Sequence, residues 1–262
     1  MQPRTEGRAG FTLIEAAVAL AVVAILAGSI APLAVQALKQ QREYRTRDSL
    51  KTAFEALFGA RDRRVGNMLA DFGFWPNAGT ANLAYLLDRN QLPGSTAAGA
   101  YGPGASPPDF YMGWNGPYWN GATDGNGNPA DAWGKPIRLI RANGGWQVAS
   151  NGPDGFANTA DDLFYPAKPA LDTSLKCLFG VNITMPLNKN GSYTVYFREQ
   201  GQFNSSLPVP LDPLKTFLSV KPITLMPAGP VQISFTLASG SADPVIVDLL
   251  PGEVRIIDVS LP

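Results

Sequence analysis

The sequence predicts an α+β chain: a long N-terminal membrane-spanning helix packed on a small antiparallel sheet, followed by a separate all-β, sandwich-like domain. Three observations carry this expectation. Ala16 to Leu38 contains no charge, and about 20 predominantly apolar residues suffice to cross a bilayer as a helix. The proline-free stretch that follows places Leu50, Phe54, Leu57 and Phe58 at i, i+4, i+7 and i+8, one stripe of an amphipathic helix laid on a sheet. Near the C-terminus Val231, Ile233, Phe235 and Leu237 alternate with Gln232, Ser234 and Thr236, the period of a half-buried strand.

Composition narrows the function classes. The 262 residues carry 21 basic and 21 acidic side chains and show no basic stripe, which argues against nucleic acid as a partner. Histidine is absent, so the usual Ser-His and Cys-His pairs and most catalytic zinc sites have no raw material. A single cysteine, Cys177, permits no internal disulfide and reads as a small buried apolar residue. No residue spacing proposes catalysis, and the expectation is a protein that is not an enzyme.

The first element is the N-terminal segment Gly10-Phe11-Thr12-Leu13-Ile14-Glu15, preceded by Arg4 and Arg8 against one Glu6. A secretory signal would end its apolar core at a small-residue cleavage site, whereas here the cut would precede the core. The segment resembles the prepilin signal of type IV pilins and of type II secretion pseudopilins. That resemblance implies a ten-residue leader, cleavage between Gly10 and Phe11 by a prepilin peptidase, and N-methylation of Phe11. An ionisable group in a membrane helix is costly and is a functional hypothesis by default. Glu15 is therefore read as the partner of the new Phe11 amine on a neighbouring subunit; the alternative is a carboxylate at the headgroup level of a simple anchor. Pro32, inside the apolar run, permits a kink.

The helix is expected to continue to about Asn67, some 57 residues or about 85 Å. Arg42, Arg45, Arg47, Lys51, Arg61, Arg63 and Arg64 occupy its exposed face or end, as a solvated surface or as a contact for acidic lipid or other subunits. Gly73 to Gly127 is dense in Gly, Pro, Asn and Ser and predicts long connections. Within it Asp124-Gly125-Asn126-Gly127-Asn128 lacks the closing acidic residue of an EF-hand and reads as a glycine-rich turn. The aromatics Trp114, Tyr118, Trp119, Trp133 and Trp146 supply either a core or a sugar-stacking surface. Residues 136–140 and 146–149, separated by Asn143-Gly144-Gly145, predict a hairpin.

Three short segments flank this hairpin: Gly116-Pro117-Tyr118, Asp131-Ala132-Trp133-Gly134, and the loop from Ser150 to Asp162. In this order, and with the leader, they resemble the major pseudopilin of type II secretion over residues 1–166. The resemblance implies the pilin fold and a calcium ion in the last loop. Its candidate ligands are Asp154, Asp161, Asp162 and the backbone carbonyl of Ser150, with carbonyls between Phe156 and Asn158; the alternative is an Asp/Asn/Gly-rich turn without an ion.

The Pro-flanked segment 166–169 reads as a linker. Beyond it, strands at 193–197, 245–249 and 254–259 join the alternating one, with turn signals at Asn190-Gly191, Ser239-Gly240 and Pro251-Gly252. This region loosely resembles small β domains of the PEGA or transthyretin-like kind. The expected organisation is a leader at 1–10, a transmembrane and assembly helix at 11–38, a pseudopilin-like globular domain at 39–166 and a β domain at 167–262. The expected function is a structural subunit of a type II secretion pseudopilus, anchored in the bacterial inner membrane with its globular parts in the periplasm. Its expected partners are other copies of the chain in a homo-oligomeric filament, further pseudopilins, the prepilin peptidase, the inner-membrane assembly platform and membrane lipid. The alternative is a minor pilin of a type IV pilus whose C-terminal domain binds a surface or ligand.

Overall fold

In the structure, a computed structural model, residues 12–59, 67–73, 83–91, 102–103, 111–112, 114–199, 202–220 and 225–262 are described. The first element, α1, runs from Leu13 to Phe58 as one 46-residue helix with Pro32 in its interior. At 1.5 Å per residue it is about 69 Å long. It therefore stops short of the expected Asn67. Gly59 adopts φ 84°, a left-handed conformation open to glycine, and its N–H closes on the Glu55 carbonyl at 2.8 Å. Asn67 instead caps α2 (Met68–Phe72), its Oδ1 accepting the Ala70 N–H at 2.8 Å.

The chain divides into two compact units, residues 1–44 and 45–262. In the first, Leu13, Ile14, Leu20, Ile25, Leu33 and Leu38 of α1 are all more than half exposed. Length and composition qualify this part of α1 as a membrane span.

In the second unit, β1 (Gly102–Pro103) and β2 (Tyr111–Met112) form a two-residue antiparallel ribbon. The predicted hairpin is β3 (Arg138–Ala142) and β4 (Gly145–Ser150). Its tight turn has positive φ at Asn143 (50°) and Gly144 (75°), the geometry that matches the twist of paired strands. β5 (Leu163–Leu171) completes an antiparallel sheet in the order β3-β4-β5. The stripe read from the sequence lies on this sheet. Leu50, Phe54, Leu57 and Phe58 are buried, with Phe54 edge-on to Tyr165 at 5.6 Å and Phe58 at 6.2 Å from the Trp146 ring.

The expected linker at 166–169 is instead the middle of β5. Its prolines are tolerated because β5 is an edge strand and the ladder with β4 shifts register between Trp146 and Val148. Within that interruption Gln147 donates its side-chain amide to the Pro166 carbonyl at 2.8 Å. A four-residue helix, α3 (Asp172–Leu175), follows, and Asp172 accepts from both Trp146 Nε1 (2.8 Å) and Arg141 (3.0 Å).

The remainder is all β: β6 (Cys177–Thr184), β7 (Gly191–Glu199), β8 (Gln202–Ser205), β9 (Val209–Pro210), β10 (Phe217–Val220), β11 (Leu225–Met226), β12 (Gly229–Leu237), β13 (Gly240–Leu249) and β14 (Val254–Ser260). One sheet is built on β6, with β10 and β11 antiparallel along one edge and β14 parallel along the other. The other is antiparallel, β13-β12-β7-β8, with β9 also against β7. The alternation read in β12 buries Val231, Ile233, Phe235 and Leu237. Gln232 is buried as well and donates to Ser234 at 2.9 Å. β6 escaped the sequence reading although it anchors its sheet, with Phe179, Val181 and Ile183 inaccessible to solvent. Cys177 is buried as expected, its thiol donating to the Leu250 carbonyl at 2.7 Å, and burial pushes its pKa up to about 12.

Removing Phe179 should leave a cavity in this sheet. Phe179→Ala is expected to lower unfolding stability by about 3–5 kcal/mol. Phe217→Ala, at a side chain 53% exposed, should stay within about 0.5 kcal/mol of the parent. Urea midpoints of the full chain in detergent check both.

Candidate functional site

Two places bring the sequence-predicted residues into defined geometry. The first is the start of α1. Thr12 precedes the helix and its carbonyl accepts the Ala16 N–H at 3.1 Å. Glu15 Oε2 accepts from the Thr12 N–H and from the Thr12 hydroxyl, each at 3.0 Å, while the Thr12 hydroxyl oxygen accepts the Glu15 N–H at 3.3 Å. This is a reciprocal capping box, in which two otherwise orphaned backbone donors find side-chain acceptors. The threonine was passed over in the sequence reading, although Thr-x-x-Glu ahead of an apolar run is the pattern that would have found it. Glu15 thus has its carboxylate turned back towards the helix start. Gly10 and Phe11, the predicted cleavage and methylation positions, lie outside the described residues.

The second place is the end of the β3–β4 sheet. Asp131 is buried and organises the Asp-x-Trp-Gly turn, its Oδ1 accepting the N–H groups of Trp133 and Lys135 at 2.9 Å each. Its Oδ2 receives the Ser150 hydroxyl at 2.5 Å, and that hydroxyl oxygen in turn accepts the Gly152 N–H at 3.1 Å. The turn is also tied to α1, where buried Thr46 accepts the Ala132 N–H at 3.2 Å. Two segments separated in sequence are thereby joined at the root of the Ser150–Asp162 loop. Gly152 stands at φ 64°, and a β-carbon there would come within 2.5 Å of Asp161.

In the loop, Asp161 and Asp162 both reach the Thr159 hydroxyl, and the Asp154 N–H donates to Asp161 Oδ2 at 3.4 Å. The Thr159 hydroxyl lies 2.8 Å from Asp161 Oδ1, 3.1 Å from Asp162 Oδ1 and 3.1 Å from the Phe156 carbonyl oxygen. Its single proton serves one of these acceptors at a time, so the group is rich in oxygen and poor in hydrogen. Asn151 Oδ1 is buried beside this loop's root without a hydrogen-bond partner. Asp154 instead accepts the Phe156 N–H at 2.8 Å, and Asp162 Oδ2 accepts the Asn158 N–H at 2.8 Å. Among the described residues no three carboxylate, thiol or imidazole groups gather as a metal cluster. The oxygens gathered around Thr159 are two carboxylates, its own hydroxyl and a carbonyl. Hydrogen bonding from Thr159 holds the Asp161 carboxyl below the usual aspartate range, keeping it anionic.

The remaining motifs are structural. Asp124 accepts from the N–H groups of Asn126 (2.9 Å) and Asn128 (2.8 Å), which makes its segment a self-bonded turn. Trp146 and Trp119 are buried, and the Trp119 and Trp114 indoles donate to the carbonyls of Ala122 and Tyr85. Trp114 also lines an open cleft of about 470 Å³ with Asp88, Arg89 and Asn90.

Residues 7–31 match the prokaryotic N-terminal methylation motif. No curated protein matches the chain. The match covers the end of the predicted leader, the cut and most of the apolar run, and it indicates a type IV prepilin-like signal at the N-terminus. The matched residues include the capping box of Thr12 and Glu15.

Asp131→Ala should strip acceptors from three donors at once and lower stability by about 2–4 kcal/mol. Asp131→Asn, which keeps one acceptor oxygen, should cost less. Thermal denaturation of both variants, with the full chain in detergent, is the measurement.

Proposed function

We propose that the chain is a structural subunit of a type II secretion pseudopilus. The observation that carries the reading is the Asp131–Ser150 hydrogen bond. It joins the two segments, 131–134 and 150–162, whose sequences resemble major pseudopilins, into one substructure on a sheet that carries the buried stripe of α1. In this reading the inner membrane holds α1 through its apolar part, with the globular unit in the periplasm. The peptidase cuts after Gly10, and Phe11 is methylated. The assembly platform then moves the helix from lipid into a bundle of like helices. Apolar side chains exchange lipid contacts for each other, which changes their burial little. The Phe11 amine of one subunit meets Glu15 of the next, and that carboxylate exchanges Thr12 bonds for a charged partner.

Calcium belongs to the same proposal. Asp161 and Asp162 would hold it with the Thr159 hydroxyl and the Phe156 carbonyl, water completing the six to eight oxygens the ion prefers. Asp154 and the Ser150 carbonyl, both expected as ligands, would shape the loop: Asp154 braces Phe156, and Ser150 pairs with Leu163 across β4 and β5. The ion would cross-link a loop whose carboxylates otherwise repel.

A second reading, a minor pilin of a type IV pilus with a binding C-terminal region, is favoured by one observation. The β6 sheet presents Phe217, Val254 and Ile256 to solvent, each more than half exposed.

Gly10→Val should leave the leader attached, read as an unshortened mass; a mature mass in that variant refutes the processing claim. Glu15→Ala should be processed yet fail to enter filaments, and normal incorporation would count against the amine pairing. Calorimetric titration of the full chain with calcium should show binding that Asp161→Ala abolishes and Asp154→Ala only weakens, whereas no heat with the parent chain sinks the calcium assignment. Recovery of the chain in sheared surface material would favour the pilus over the pseudopilus.

A further inference from the structure

The two turns of α1 beyond its apolar run carry a feature that processing and assembly do not use. Lys39, Arg42, Arg45 and Arg47 are all exposed, and between residues 39 and 47 only Glu43 opposes these four cations. Among the described residues none of the four pairs with a carboxylate, whereas Lys51, one turn further on, lies 3.9 Å from Glu55. In their midst Tyr44 is 75% exposed, a large amphipathic side chain outside the core.

Distance along the helix says what this segment meets. With Glu15 at one headgroup level, the uncharged residues 16–38 span about 35 Å, which crosses a hydrocarbon core of about 30 Å at an ordinary tilt of about 20°. Lys39 then stands at the far edge of the hydrocarbon, and Arg47 follows about 12 Å beyond it. Headgroups reach about 5–8 Å past the hydrocarbon and the Debye length adds about 8 Å, so all four cations lie within range of lipid charge. Lysine and arginine stems can lie along the apolar boundary with their charges outward, and tyrosine is enriched at that level.

We propose that Lys39, Arg42, Tyr44, Arg45 and Arg47 form a collar that binds the headgroups of anionic phospholipid and sets the depth of the anchor before assembly. This rests on the reading of α1 as a membrane span. Four cations and one tyrosine around a helix complement a negatively charged, laterally mobile surface, whose lipids rearrange to match them at little cost. Leaving the membrane then means giving up these lipids as well as the hydrocarbon, so the collar gates extraction.

The test uses the full chain in lipid nanodiscs with a fluorophore on Gln40→Cys, Cys177 being buried and unreactive. Nitroxide-labelled phosphatidylglycerol and nitroxide-labelled phosphatidylcholine are compared as quenchers. The anionic lipid should quench about threefold to fivefold more effectively at low salt, and the preference should fall to about one in the combined variant Lys39→Gln, Arg42→Gln, Arg45→Gln, Arg47→Gln. Equal quenching in the parent chain, or a preference that survives in the variant, overturns the collar. Quenching by neither lipid overturns the anchor reading itself. If the variant keeps its lipid preference but loses cross-linking between copies, the face belongs to a neighbouring subunit and the lipid assignment is wrong.

Discussion

The structure depends on one helix that changes from apolar all round to apolar along one stripe. A helix able to cross lipid has no water there for its backbone, so it must satisfy its own donors and acceptors. The Thr12–Glu15 capping box supplies side-chain acceptors at the end where the helix otherwise leaves N–H groups bare. Forty residues later the same helix presents only a stripe, Leu50, Ala53, Phe54, Leu57 and Phe58, and its other face is polar. The first pattern suits lipid, and the second suits a sheet on one side with water on the other. Gly59 ends the helix as soon as that stripe is complete.

Around that stripe the second unit is organised by polar hubs as well as by apolar packing. Asp131 holds one turn and, through Ser150, the root of the next loop. Asp172 holds the Trp146 indole, over which the Arg141 guanidinium sits at 4.9 Å from the ring centre. Each hub spends a carboxylate on donors that would otherwise be left unsatisfied, and at buried Asp131 this is expensive to undo. The loop carboxylates Asp161 and Asp162 differ: they share one hydroxyl and retain unused acceptor capacity. That surplus is the physical basis for reading the loop as a cation site.

What was legible in the sequence was whatever has a period or a turn signature. The span, the α1 stripe, the hairpin across Asn143-Gly144 and the alternating strand β12 all declared themselves this way. The end of α1 did not, because residues 59–67 contain a glycine whose effect is conformational and local, and no proline to announce it. β5 was hidden by Pro166 and Pro169, which look like a linker and are accommodated only because the strand lies at an edge. β6 was hidden for another reason: Cys177, Phe179, Val181 and Ile183 are buried in alternation, but the positions between them include apolar Leu178 and a buried Gly180, which blur the period in the sequence. The ligand set in the loop was half legible. Aspartates are conspicuous in a sequence, whereas the convergence of Asp161 and Asp162 on Thr159 exists only once the loop is folded.

The pairing of β14 with β6 carries a consequence for how the chain comes into being. The two strands are parallel and in register from Val254 with Leu178 to Ser260 with Thr184. A ribosome delivers β6 long before β14, since Asn182 waits for Asp258, its side-chain partner 76 residues downstream. Until the final strand emerges, one whole edge of β6 offers unpaired N–H and C=O groups to whatever strand is nearby. Completion of this sheet therefore waits until β14 has left the ribosome. A nascent chain halted at Pro251, or a mature one clipped there, would carry an open edge able to borrow the missing strand from a sister molecule.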